Sequence, residues 1–238
     1  MFLCWALIGR RIQASATGGT YQLQLMHTFF LYMGIFFLFM FSPHVLLRPY
    51  PEHFPLAMAL GYVIGHVFMY LAFLNIGRLF FSIVPRLNDK ESFLYFIGLL
   101  ATIGITLLNA KTMIWGNRPA FDEELGVTLF NVHPAIGAAI GIFAALTVLP
   151  TAILMIVNGA TNHAARTRSY LLGGGLLILI TAGPVHDLAT TASLYMIADI
   201  ASMVGLLMIA GGVAYRIEER IALAHPQPHS QSHPVSAP

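Results

Sequence analysis

The residues of this chain that could do chemistry are few, and most lie inside long apolar runs. His66, His133, His186, Asp187 and Asp199 are the imidazoles and carboxylates placed there, with Lys111, Asn109 and Asn131 at neighbouring levels. Polar groups at membrane depth are costly, so each is a functional candidate by default. Imidazoles with a carboxylate suit Zn, Cu or Fe, which makes His66, His133, His186 and Asp187 the candidate metal ligands. A haem, a quinone or a small solute would use the same kind of polar cavity. His66, Asp199, Lys111, His133, Asn109 and Asn131 form the candidate ligand-binding set. The competing reading is that each residue hydrogen-bonds an adjacent helix or sits among lipid headgroups.

Depth decides which of these residues could meet. At a helical rise of ~1.5 Å per residue, His66 falls near mid-membrane on the second apolar run, and Asp199 about 12 Å below the outer end of the last. By the same rise His133 is about 9 Å in and Lys111 about 6 Å in. His44 and His186 are at the outer ends of their runs, beside Pro43 and Pro184. The inner half holds little beyond His27 and Asn75. His66 and His133 are the best-matched haem pair, and they differ in depth by about half a leaflet. No set of catalytic residues is assigned.

The elements that must position these residues follow from composition. The chain of 238 residues is 57% hydrophobic and 9% charged, against about 25% charged for a soluble domain. Six runs approach the ~20 residues needed to cross hydrocarbon. They are Leu23 to Leu47, Leu56 to about Val84, Phe93 to Trp115, Val127 to Val157, Tyr170 to about Leu188 and Thr191 to Tyr215. In lipid the backbone must satisfy its own hydrogen bonds, and these runs lack the alternation of barrel strands, so all are expected to be helices. The expected fold is an all-α polytopic transmembrane bundle over residues 1–222, with a disordered cytoplasmic tail at 223–238. His225, His229 and His233 in that tail could hold a metal only loosely.

Phe2 to Gly9 would rise only ~12 Å as a helix, too little to span. It is either an interfacial stub or the inner end of a partial seventh helix. No cleavable signal sequence is read there, because Arg10 and Arg11 follow the apolar start too soon. Gly61 with Gly65 and Gly137 with Gly141 are spaced for close helix packing, as is the run Gly173 to Gly175. Pro150 should kink the fourth span.

Several functions are excluded by what is missing. Lys90 and Lys111 are the only lysines, so the last helix has none for a retinal Schiff base. One cysteine, Cys4, allows no intrachain disulfide and no C-x-x-C pair. There is no phosphate-binding glycine loop and no H-E-x-x-H motif. The basic residues lie at segment ends and form no stripe for nucleic acid.

Gly9-Arg10-Arg11 would close a first helix, Arg166-Thr167-Arg168-Ser169-Tyr170-Leu171-Leu172-Gly173 enters the fifth full span, and Tyr215-Arg216-Ile217-Glu218-Glu219 leaves the last. On these segments the chain resembles the seven-helix membrane sensor regions found ahead of bacterial histidine kinases, over residues 1 to about 222. The resemblance implies a membrane sensor without an output domain, and it transfers no binding residues. The expected function is therefore a sensor-like or accessory membrane subunit that binds a small ligand or partner from the outer face. A redox, metal- or haem-handling subunit using His66 and His133 is the alternative, and a small-solute transporter the third. The expected partners are the lipid bilayer and either another membrane protein or a second copy of the chain.

Orientation follows from charge. With the C-terminus inside, Arg10, Arg11, Arg78, Arg86, Lys90, Arg166, Arg168, Arg216 and Arg220 fall on the cytoplasmic side of an inner membrane, and Arg48, Lys111 and Arg118 toward the outside. Reporter fusions after Arg86, Arg168 and Arg220 should therefore report cytoplasm, and fusions near Glu52 and Glu123 the exterior. An external signal after Arg168 would overturn this topology.

Overall fold

A computed structural model describes residues 21–47, 50, 52–116, 118–122 and 127–224, those at 85, 127 and 216–224 by backbone alone. The stub at Phe2 to Gly9 and the tail from His225 lie outside the described residues. Six helices run in chain order: α1 Tyr21–Leu47, α2 Phe54–Ile83, α3 Glu91–Trp115, α4 Pro134–Thr161, α5 Arg166–Leu188 and α6 Ala192–Ala224. Among the described residues, six helices are long and apolar enough to cross a membrane. The chain is an all-α membrane bundle, as its composition implies.

The fourth apolar run departs from its expected form. Val127 to His133 is not helical. Val127–Leu129 is a strand, β2, paired antiparallel with β1, Ala120–Asp122. Two local features hold the helix start back to Pro134. Pro134 occupies the first turn, where its missing N–H costs nothing, and the His133 ring accepts the Ala135 N–H at 3.3 Å as the N-cap. Asn131 takes a positive φ of 49°, which turns the chain between strand and helix. Beyond that point α4 remains helical through Pro150.

Successive helices are antiparallel. α1 packs along α2, α2 along α3 and α4, α4 along α5, and α5 along α6. α1 and α6 stand on opposite sides of a cavity. The close approaches depend on glycine. A Cβ on Gly61 would come within 2.5 Å of the Phe39 carbonyl oxygen of α1. At the α5–α6 crossing Gly175 and Gly205 face each other, and a Cβ on Gly205 would meet the Gly175 oxygen at 2.8 Å. Without a hydrophobic drive between helices in lipid, such backbone proximity supplies much of the association. Ile103, Leu107, Leu146, Ile197 and Leu207 point outward, as a lipid-facing surface requires.

The basic end of the bundle is tied by one cluster. Arg78 near the end of α2 donates from Nε to Glu91 Oε1 at 2.7 Å, at the start of α3. Its Nη2 donates to the Tyr21 hydroxyl at the start of α1, which in turn donates to Glu91. The guanidinium lies 4.8 Å from the Tyr95 ring centroid. Three helix ends thus share one ion pair, and Arg78 is more than a marker of membrane orientation.

Gly205→Leu should lower the melting temperature in detergent, because overpacking typically costs about 1–3 kcal/mol. Gly104→Ala is the comparison: a Cβ there meets nothing within 4 Å. Equal stability of the two variants would contradict the crossing described.

Candidate functional site

Toward the end opposite Arg78, α1 and α2 form one wall of a cavity of about 500 Å³, and α5 and α6 the other. Its lining is rich in phenyl and thioether groups: Met33, Phe36, Phe37, Met40 and Phe41 from α1, Met58, Met69 and Phe73 from α2, and Met203 from α6. The β-hairpin and the loop after it close the end through Thr128 and Phe130. Thr128 Oγ1 lies 2.9 Å from His44 Nε2, which pins the hairpin to α1.

A connected polar wall crosses this apolar chamber. Tyr62, His66 and Tyr70 follow one another at a spacing of four and so share a face of α2. The Tyr62 and His66 rings stack with centroids 3.7 Å apart. His66 Nδ1–H donates to the Tyr62 carbonyl at 2.8 Å, a bond that sets the ring's orientation and turns Nε2 toward α5. There Nε2 stands 3.9 Å from Asp187 Oδ1. The same oxygen accepts the Tyr62 hydroxyl and lies 3.4 Å from His186 Nδ1. His186 Nε2 continues the chain to Asp199 Oδ1 at 3.5 Å.

The two carboxylates differ in setting. Asp187 is only 3% exposed and is enclosed by Tyr62, His66 and His186. Asp199 is 64% exposed and lines the cavity. Tyr195, one turn before Asp199 on α6, packs edge-on against His186 at 4.8 Å between centroids. Its hydroxyl accepts the Phe130 N–H at 3.2 Å. The arrangement can accept hydrogen bonds or a proton at the cavity surface and pass a change in charge through His186 to a buried carboxylate.

Of the residues singled out from the sequence, His66, His186, Asp187 and Asp199 converge here. Asp199 meets His186, however, and not His66, His133 or Lys111. The other four candidates do not line the cavity. Lys111 is exposed on α3, which packs on the outer side of α2. Asn109, also on α3, is buried without a hydrogen-bond partner among the described residues. Asn131 is exposed in the loop before α4, its Nδ2 3.5 Å from the Arg118 carbonyl. His133 caps α4 through Nδ1 and does not line the cavity that His66 lines. Among the described residues no group of three His, Cys, Asp or Glu side chains is arranged to hold a metal ion.

Tyr62, Tyr195, Thr128 and Phe130 were not foreseen. Tyr62 carried a readable signal, because it lies four residues before His66 in a helix. The hairpin residues carried none, since their apolar run looked continuous with the fourth span.

Comparison with protein-family models, with curated proteins and with solved structures finds no match in any of the three. The site's own geometry therefore carries the functional argument.

Asp187→Ala should destabilise the folded chain strongly, by about 3–5 kcal/mol if the carboxylate is charged, since breaking a buried ion pair leaves its partners uncompensated. Tyr62→Phe should cost about 1–3 kcal/mol for the lost donor. Lys111→Ala, on an exposed face, should stay within about 0.5 kcal/mol. Thermal unfolding in detergent micelles reads all three, and an Asp187 variant as stable as wild type would contradict the network.

Proposed function

We propose that this membrane protein is a sensor-like or accessory subunit that binds a small amphiphilic molecule in the cavity between α1/α2 and α5/α6, from the end read as external. One observation carries the reading. A chamber of about 500 Å³ combines an aromatic and methionine lining with a connected His–Asp wall on one side. Ligand sites characteristically have this form: apolar walls with a few convergent polar groups. Methionine side chains adapt to varied ligand shapes.

The sensor-like part of the proposal rests on α6. That helix supplies Tyr195, Asp199 and Met203 to the cavity and continues without a break to Ala224. Its 33 residues make a rod of about 50 Å, longer than the ~30 Å hydrocarbon layer. A ligand that shifts α6 at the cavity shifts its other end as well. The resemblance to kinase sensor regions agrees with this direction of signalling.

A redox or metal-handling role is the second reading. What favours it is that two imidazoles, His66 and His186, stand within 4 Å of one carboxylate, Asp187, and imidazoles with a carboxylate suit transition metals. An absorption spectrum and metal analysis of the purified chain separate the two: a Soret band or stoichiometric metal, lost in His66→Ala, would favour the redox role.

For the amphiphile reading, the chain in lipid nanodiscs should be photolabelled by a radiolabelled aromatic diazirine alcohol. Labelling at Phe36 or Met203 should saturate and be competed by unlabelled compound. Met203→Trp, which places added bulk in the chamber wall, should reduce it about tenfold, equivalent to about 1.4 kcal/mol of binding. Labelling confined to lipid-facing positions and unsaturable would overturn the proposal.

A further inference from the structure

We infer that the cavity is selective for a lipophilic cation, an amine or quaternary ammonium on an apolar or aromatic body; this rests on the amphiphile reading above. The first observation is charge. The lining residues include the carboxylates of Asp187 and Asp199 and, among the described residues, no Lys or Arg. The lining also includes the imidazoles of His44, His66 and His186; with a proton on His186 and the other two rings neutral, it holds one net negative charge.

The second observation is the difference between the two carboxylates. Asp187 is enclosed and engaged on Oδ1 by Tyr62 and His186, so it is a structural anion. Asp199 meets His186 through Oδ1 at 3.5 Å and is otherwise open to the chamber. It offers acceptor positions to an incoming group on the chamber wall. An anion placed there would meet Asp199 without a compensating cation. A neutral amphiphile would leave that carboxylate unmatched.

The third observation is the wall. Phe36, Phe37, Phe41 and Tyr195 line the same chamber as Asp199. Aromatic faces attract a cation through the ring quadrupole, more strongly once it is desolvated, and recognition of quaternary ammonium groups uses aromatic walls of this kind. A carboxylate and several rings in one apolar chamber form a matched environment for a poorly hydrated cation with an organic body. A small hydrated ion such as Na⁺ would lose its water against Phe and Met and gain only one carboxylate.

The test is competition against the aromatic photolabel in nanodiscs. Three competitors share one body: 4-phenylbutyl-trimethylammonium, its uncharged tert-butyl isostere, and 5-phenylpentanoate. The ammonium should compete about tenfold more strongly than the isostere, and the carboxylate least. Asp199→Asn should remove the advantage of the ammonium over the isostere, each competitor being measured against the label's own saturation in that variant. Asp89→Asn, at the basic end, should change nothing. Equal potency of ammonium and isostere, or an unchanged preference in Asp199→Asn, would overturn the cation inference and leave the amphiphile reading standing. Failure of all three to displace a saturable label would also overturn it, whereas absence of any saturable label would remove both.

Discussion

A carboxylate buried at membrane depth is the constraint around which this bundle is arranged. A charged side chain there costs several kcal/mol unless the protein supplies partners. Asp187 is 3% exposed, accepts the Tyr62 hydroxyl of α2 and lies 3.4 Å from Nδ1 of His186 on its own helix, α5, with the His66 ring of α2 beside them at 3.9 Å. Because α2 and α5 are not neighbours along the chain, the carboxylate can be satisfied only when the α1/α2 pair and the α5/α6 pair face each other in one register. Apolar packing in lipid does not impose that register by itself, since lipid tails solvate Leu and Phe as well as another helix does.

Given that register, the cavity follows from where backbones can approach. Glycines let α1 close on α2 at Gly61 and α5 close on α6 at Gly175 and Gly205. α4 joins the two pairs on one side by packing on both α2 and α5. On the other side α1 and α6 carry large side chains, Phe36, Phe37 and Phe41 facing Ile200, Met203 and Val204 across the chamber. Bulky residues on both faces hold those helices apart, and the space between them stays open. The hairpin then covers the end, held to α1 through Thr128 and His44 and to α6 through the Phe130 N–H and Tyr195.

The two ends of the molecule are built differently, and the difference has a functional sense. At the basic end Arg78, Glu91 and Tyr21 lock the starts of α1 and α3 to the end of α2 by charge-assisted hydrogen bonds. That lock does not include α6, whose contacts are mainly with α5. A helix bordering the chamber at one end and outside the lock at the other is the element least tied to the rest of the bundle. This is the physical content of the sensor-like proposal, and it concerns one helix rather than the whole bundle.

Much of this was legible in the sequence, for a simple reason. Hydrocarbon requires about 20 apolar residues in a row and internal backbone hydrogen bonding, so the number of spans and their helical form follow from one-dimensional information. Depth is also one-dimensional, and His66, His186, Asp187 and Asp199, read at the mid to outer levels of their spans, line one chamber. Azimuth is not. Lys111, Asn109, Asn131 and His133 share those levels, yet α3 sits outside α2 and the segment before Pro134 leaves the helix, so none of them reaches the chamber. Which helix stands beside which, and therefore that Asp199 meets His186 and that Tyr62 reaches across 125 residues to Asp187, was decided only by tertiary structure. Helix packing depends on the pairwise fit of surfaces and on where a buried charge finds its partners, and neither is written in the order of residues along one span.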